Sequence, residues 1–227
     1  LVKQGYREDN PFSGVAPRRV HSARSERSPF TDDDLKLLFG TALYKDKVYA
    51  HDWQYWLPLL GLYTGARLEE LCQLKGQDFK VTDDCHYIDI HGEGDAQNRV
   101  KTSSSVRKIP VHSELIKLGL LGMLEKRPRE CFLFDLTRIN TNLGHMPSKW
   151  FGGYKASLGL PKGTKVFHSF RHTLRDKLTL CGVPNEHIRE ILGHEQVGET
   201  FGRYGSSIPV SVLVGSINKM SLPFPLE

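Results

Sequence analysis

Between Cys85 and Val111 the chain abandons the helical spacing that dominates on either side, and this interruption restricts the fold more than any other feature. His86-Tyr-Ile-Asp-Ile-His91 alternates polar and apolar residues, as a half-buried strand does. A Gly/Asp/Asn turn, Arg99-Val-Lys-Thr102, a Ser-rich turn and Val106-Arg-Lys-Ile-Pro-Val111 follow. The pattern predicts a small antiparallel sheet of three short strands inside a mainly helical α+β domain. Thr31 is an N-cap candidate with three Asp residues behind it, where carboxylates complement the helix dipole. Leu35, Leu38 and Phe39 continue that helix on an apolar face. The stretch from His51 to Leu74 is helix-forming but broken at Thr64-Gly65, which places Arg67 in the first turn of a second helix. After the strands, helical spacing returns around residues 113–125, 146–157, 169–181, 185–192 and 209–219.

Residues 1–30 differ from the rest. They carry Pro11, Gly14, Pro17 and Pro29 with Arg18, Arg19, Arg24 and Arg27, a linker composition that suits a solvated tail and a basic strap along phosphates equally well. The expected domain is therefore 31–227, preceded by a linker. The chain starts at Leu1 without a Met and is expected to continue a longer protein. Its 227 residues at 39% hydrophobic content can build an ordinary core. No run approaches the roughly 18 apolar residues of a membrane span, and the start lacks the apolar stretch of a signal peptide. A cytosolic protein with no membrane partner is expected. Cys72, Cys85, Cys131 and Cys181 are too scattered for a zinc site or a disulfide scaffold, so reduced thiols and no metal are expected. The formal charge of +5 suits a polyanionic partner without demanding one.

Chemistry-bearing residues concentrate in the second half. His168-Ser-Phe-Arg171 opens a predicted helix, and a spacing of three puts His168 and Arg171 on one face. Phe170, Leu174 and Leu178 form an apolar stripe close to Arg171, so the pair should sit at the margin of the core with His168 the freer member. Taken alone, such a pair more often caps or forms ion pairs. Ile188, Ile191 and Leu192 make a short amphipathic helix stopped by Gly193, with His194 directly after the stop. Tyr204 follows within Gly202-Arg-Tyr-Gly205, although a tyrosine among glycines is ordinarily a packing residue. Tyr154, beside Trp150 and Phe151, reads as core packing.

Together these segments carry a resemblance. Thr64-Gly-Ala-Arg67-Leu-Glu-Glu70, Lys101-Thr-Ser-Ser-Ser-Val-Arg-Lys-Ile-Pro-Val111, His168-Ser-Phe-Arg171-His-Thr173, Leu192-Gly-His194 and Tyr204 stand in the order of the signature boxes of the tyrosine recombinase (phage integrase) family. The likeness spans roughly residues 30–220, and Gly5-Tyr to Asn10-Pro-Phe resembles the end of the core-binding domain that precedes the catalytic domain in that family. His194 and Tyr204 stand one residue further apart than is commonest there, with Gly198 and Gly202 between them.

The resemblance implies a tyrosine recombinase catalytic-domain fold and a site-specific DNA recombinase that cleaves and rejoins strands through a 3′-phosphotyrosyl intermediate, without cofactor or metal. Arg67, Lys101, His168, Arg171 and His194 would surround the scissile phosphate, and Tyr204 would attack it. Guanidinium forks suit the non-bridging oxygens of a phosphate whose charge grows in the transition state. His168 is the candidate base or orienting group, and Lys101 the general acid, with Lys108 its rival. Glu70, one helical turn beyond Arg67, is expected to hold the fold or orient a neighbour. Partners so implied are double-stranded DNA, further protomers forming a tetramer on paired sites, and accessory DNA-bending proteins, in a bacterial or phage setting on the chromosome. The last helix, with Val210, Leu213, Val214 and Ile217 in one stripe, would pack either on a neighbouring protomer or on its own core. Relaxation by a type IB topoisomerase and a catalytically idle DNA-binding module are the rival readings.

Overall fold

Thr31 opens the first helix, α1 (Asp32–Phe39), through a reciprocal cap: its hydroxyl accepts the Asp34 amide (3.2 Å), and the Asp34 carboxylate accepts the Thr31 amide (2.7 Å). Leu35, Leu38 and Phe39 are buried as their spacing predicts. The computed structural model describes residues 27–83, 85–91, 106–140, 142–161, 163–193 and 208–226. Ahead of α1, Ser28 donates from its amide to the Thr164 carbonyl (3.1 Å), and the Phe30 amide donates to the Thr173 hydroxyl (2.7 Å). The Phe30 ring packs against both Phe151 and Phe170.

After a short α2 (Ala42–Lys45) comes the central helix α3 (Asp52–Thr64), buried at every position from Tyr55 to Thr64. Pro58 inside it removes one amide and frees the Gln54 carbonyl, which the Tyr44 hydroxyl meets at 3.4 Å. Gly65 ends α3 in the left-handed region (φ 62°), and α4 (Leu68–Cys72) starts three residues later. Arg67 thus stands one residue before α4 in extended conformation, rather than inside its first turn.

Among the described residues the sheet has three antiparallel strands, two of them expected and one not. They are β1 (Phe79–Thr82), β2 (Cys85–Ile90) and β3 (Arg107–Pro110), in the order β1-β2-β3. β1 is a four-residue strand with two exposed positions, too short for its alternation to register in sequence. Asp83 begins the tight turn that pairs Thr82 with Cys85, at a φ of 47° that Asp tolerates better than most residues. Arg99-Val-Lys-Thr102, expected as the middle strand, lies outside the described residues.

The expected helix over 113–125 is two, α5 (Ser113–Lys117) and α6 (Leu120–Glu125), divided by Gly119 at φ 97°. The others match their spacing: α7 (His145–Ser157), α8 (Ser169–Leu180), α9 (Asn185–Leu192) and α10 (Val210–Ile217). Glu69 on α4 accepts the Leu143 and Gly144 amides (3.0 and 2.8 Å), tying α4 to the start of α7. α10 packs against β3, β2 and α9 of its own chain. Three hydrogen bonds hold its end: His187 to the Ser216 hydroxyl (2.7 Å), His112 to the Met220 carbonyl (2.8 Å), and the Ser113 amide to the Asn218 side chain (2.9 Å). Its apolar stripe therefore serves the chain's own core, with Val210, Leu213 and Ile217 buried. Among the described residues no helix is long and apolar enough to cross a membrane.

Candidate active site

The corner between α3 and α4 is where the site starts. Leu192 and Leu174 approach Gly65, at the end of α3, so closely that a Cβ at residue 65 would lie 2.5 Å from one Leu192 methyl and 3.1 Å from a Leu174 methyl. Glycine is needed there twice over, for the left-handed backbone and for the space. The carbonyl of Gly65 accepts from Arg171 Nη1 (2.9 Å), and Arg171 Nη2 reaches the Leu192 carbonyl at the end of α9. Arg171, on α8, is 4% exposed and forms no ion pair among the described residues.

Arg67 leaves the same corner. Its guanidinium is about a third exposed and donates through Nη1 to Glu70 Oε1 (2.6 Å), while its amide donates to Glu70 Oε2 (2.9 Å). Glu70 also accepts from Nη2 of Arg107 (2.9 Å), whose Nε donates to the Ile191 carbonyl (3.0 Å). Arg107 and Arg67 thus share one buried carboxylate, and Arg171 is near enough to feel all three charges. Burial pushes the Glu70 carboxyl up, but Arg107 and then Arg67 outweigh it and hold the carboxyl below its ordinary range. Burial, then Arg107 and Arg67, draw the Arg171 pKa down to about 9, still cationic at neutral pH. The balance is an excess of positive charge, the electrostatic condition for receiving an anion.

His168 occupies the N-cap position of α8, yet its side chain makes no capping hydrogen bond. Burial lowers its pKa to about 4, with His172, Arg171, Arg27 and Arg67 adding to the effect. The imidazole is therefore neutral at neutral pH and senses Arg67 and Arg171 together. Arg67, His168 and Arg171 are brought into one site; the other expected members, Lys101, His194 and Tyr204, lie outside the described residues. Lys108 faces away: on β3 it is exposed, 5.3 Å over the Tyr87 ring, on the side of the sheet opposite Arg107. Tyr154 is a packing residue, stacked on Trp150 and hydrogen bonded to the Leu38 carbonyl and the Thr41 hydroxyl. Glu70 does orient a neighbour.

Arg107 was not singled out by its sequence context. The available signal was strand alternation: it is two residues from the buried Ile109 and hence on the same, core-facing side. An arginine on a core face needs buried acceptors, and Glu70 and Ile191 supply them. Among the described residues no group of three or more His, Cys, Asp or Glu side chains is arranged to hold a metal ion.

The phage integrase family model matches residues 29–208. A curated relative, the tyrosine recombinase XerC-like protein of Caldanaerobacter subterraneus subsp. tengcongensis, is 28% identical over 240 aligned residues, covering 92% of this chain and 59% of that protein. The chain thus spans about three fifths of that relative's length. Among solved structures, the integrase from mycobacterium phage Brujita superposes with a TM-score of 0.59 at 18% identity, covering 99% of this chain and 68% of the other. The Tn1549 transposon integrase in complex with transposon right end DNA gives 0.55 at 19% identity, covering 92% and 70%. Likenesses of this degree establish the fold. The family match extends over most of the chain and over the corner that gathers Arg67, His168 and Arg171, and this chain belongs to the phage integrase family.

Proposed function

We propose that the chain carries the catalytic centre of a site-specific DNA recombinase, with a DNA phosphodiester as its substrate. The observation that carries this reading is the convergence of Arg67 and Arg171, 104 positions apart in the chain, on one corner where, among the described residues, arginines outnumber the carboxylate of Glu70. The transition state of phosphoryl transfer gathers charge on the non-bridging oxygens, and a preorganised pair of guanidiniums stabilises it without metal. Kinship with a family whose members include a DNA-bound transposon integrase supports the same assignment.

In this reading the Tyr204 phenol oxygen attacks phosphorus, a phosphorus–tyrosine bond forms and the bond to the 5′-oxygen breaks. The phenol proton passes to an acceptor, for which neutral His168 is placed beside the arginines, and Lys101 protonates the departing 5′-oxygen. His194 donates a hydrogen bond to the phosphate. Rejoining runs the same steps in reverse with a 5′-hydroxyl, so no external energy source is required. Several protomers on paired duplexes, a linker over residues 1–30 whose last residues, Ser28 to Phe30, are fastened to the domain, and a setting on a bacterial or phage chromosome complete the reading.

The test is incubation with a nicked suicide duplex followed by denaturing electrophoresis. Wild type should give a covalent protein–DNA adduct, and Tyr204→Phe none. Arg67→Ala and Arg171→Ala should each slow adduct formation by roughly 10²–10³-fold, about 3–4 kcal/mol of barrier. No adduct with wild type, or one that persists in Tyr204→Phe, overturns the assignment.

A further inference from the structure

We infer that Arg107 is a positioning residue of this site, fixing the Arg67 guanidinium, through Glu70, against the last turn of α9. The inference rests on the reading of the site as a phosphate-transfer centre. Arg107 cannot itself meet a ligand. Its side chain is 2% exposed, on the core face of β3, with Nη2 on Glu70 (2.9 Å) and Nε on the Ile191 carbonyl (3.0 Å). Arg67, in contrast, is about a third exposed and shares the same carboxylate.

Two guanidiniums from different elements thus do parallel work. Arg171, from α8, joins the Gly65 carbonyl to that of Leu192. Arg107, from β3, joins the Glu70–Arg67 pair to the carbonyl of Ile191, the preceding residue. The α3–α4 corner is therefore tied twice to the end of α9, and the second tie fixes where Arg67 stands. Arg107 has an electrostatic role as well. It takes part of the Glu70 charge, which would otherwise act more fully on Arg67 and weaken the attraction of Arg67 for a phosphate. The planar fork of arginine serves two acceptors in fixed directions, which a lysine ammonium does not reproduce.

The experiment compares wild type, Arg107→Lys, Arg107→Met and Arg107→Met/Glu70→Gln in the full chain, at a temperature where melting curves show each to be folded. Three quantities are measured: affinity for the nicked duplex, the single-turnover adduct rate at saturating duplex, and backbone amide exchange over residues 189–193. Arg107→Lys should bind within about twofold of wild type yet form adduct at least about tenfold more slowly, with faster exchange at the α9 end. Arg107→Met/Glu70→Gln should be faster than Arg107→Met, because the carboxylate left on Arg67 has been neutralised. A merely structural role predicts additive losses instead. Adduct rates within about twofold of wild type in Arg107→Lys, or unchanged exchange at the α9 end, overturn the inference. A wild type that forms no adduct overturns the recombinase reading instead, and the exchange measurement then decides by itself whether Arg107 ties the corner to α9.

Discussion

His168 is set apart by its protonation state. Burial and the cations around it leave the imidazole uncharged at neutral pH, with a pKa of about 4. His112, buried and engaged with the Met220 carbonyl, is also held below its ordinary range, chiefly by burial. For both, the folded pKa lies below the unfolded one, so between the two values the unfolded chain binds more protons. Their stabilising contribution is complete above about pH 6.5, the ordinary histidine value, and is lost as the pH falls toward the folded values. Urea unfolding should accordingly give a smaller free energy at pH 5 than at pH 7. An NMR titration should find the His168 ring proton titrating well below the ordinary value, moving upward when inorganic phosphate is added. A normal His168 titration, indifferent to phosphate, would contradict the burial and cationic surroundings of this imidazole. The identities of Arg67, His168 and Arg171 were legible because a motif spaces them on helix starts and ends. The partner of Glu70 was not legible, since nothing local in Val106-Arg-Lys-Ile-Pro announces an acceptor 37 residues earlier.

The packing of α3 on α8 depends on how closely they approach. A Cβ at Gly61 would fall 2.8 Å from the Phe167 ring and 3.2 Å from that of Phe170. These rings cannot retreat, because Phe151 stands edge-on to Phe167 and also packs against Phe170. Gly61→Ala should therefore cost about 1–3 kcal/mol by overpacking, measured by chemical denaturation. Gly153, inside α7 with no atom within 4 Å of its would-be Cβ, gives the contrast. Gly153→Ala should add about 0.5–1 kcal/mol through helix propensity. Equal responses at the two positions would refute the packing argument. The amphipathic helices were readable where one face is buried over two turns, as in Ile188, Ile191 and Leu192. β1 was not, because its pairing with β2 is settled by tertiary hydrogen bonds rather than by its own four residues. The division at Gly119 shows the same limit: a helical spacing runs through a residue whose backbone leaves the helix.

For the molecule as a whole, a charge of +5 and a site that accumulates guanidiniums imply an association dominated by counterion release. Affinity for a short duplex, read by fluorescence anisotropy, should fall by at least about a hundredfold between roughly 50 and 200 mM salt. Affinity insensitive to salt would mean that phosphates are not what the surface meets. The segment at residues 27–30 has a mechanical meaning in this context. Because Phe30 is wedged among the rings of α7 and α8, and its amide is fastened to Thr173, this segment is fixed to the helix that bears Arg171. Any load arriving from earlier in the chain is delivered first to α8, as torque on a shaft. A tug there would reach Arg171 before it strained the sheet.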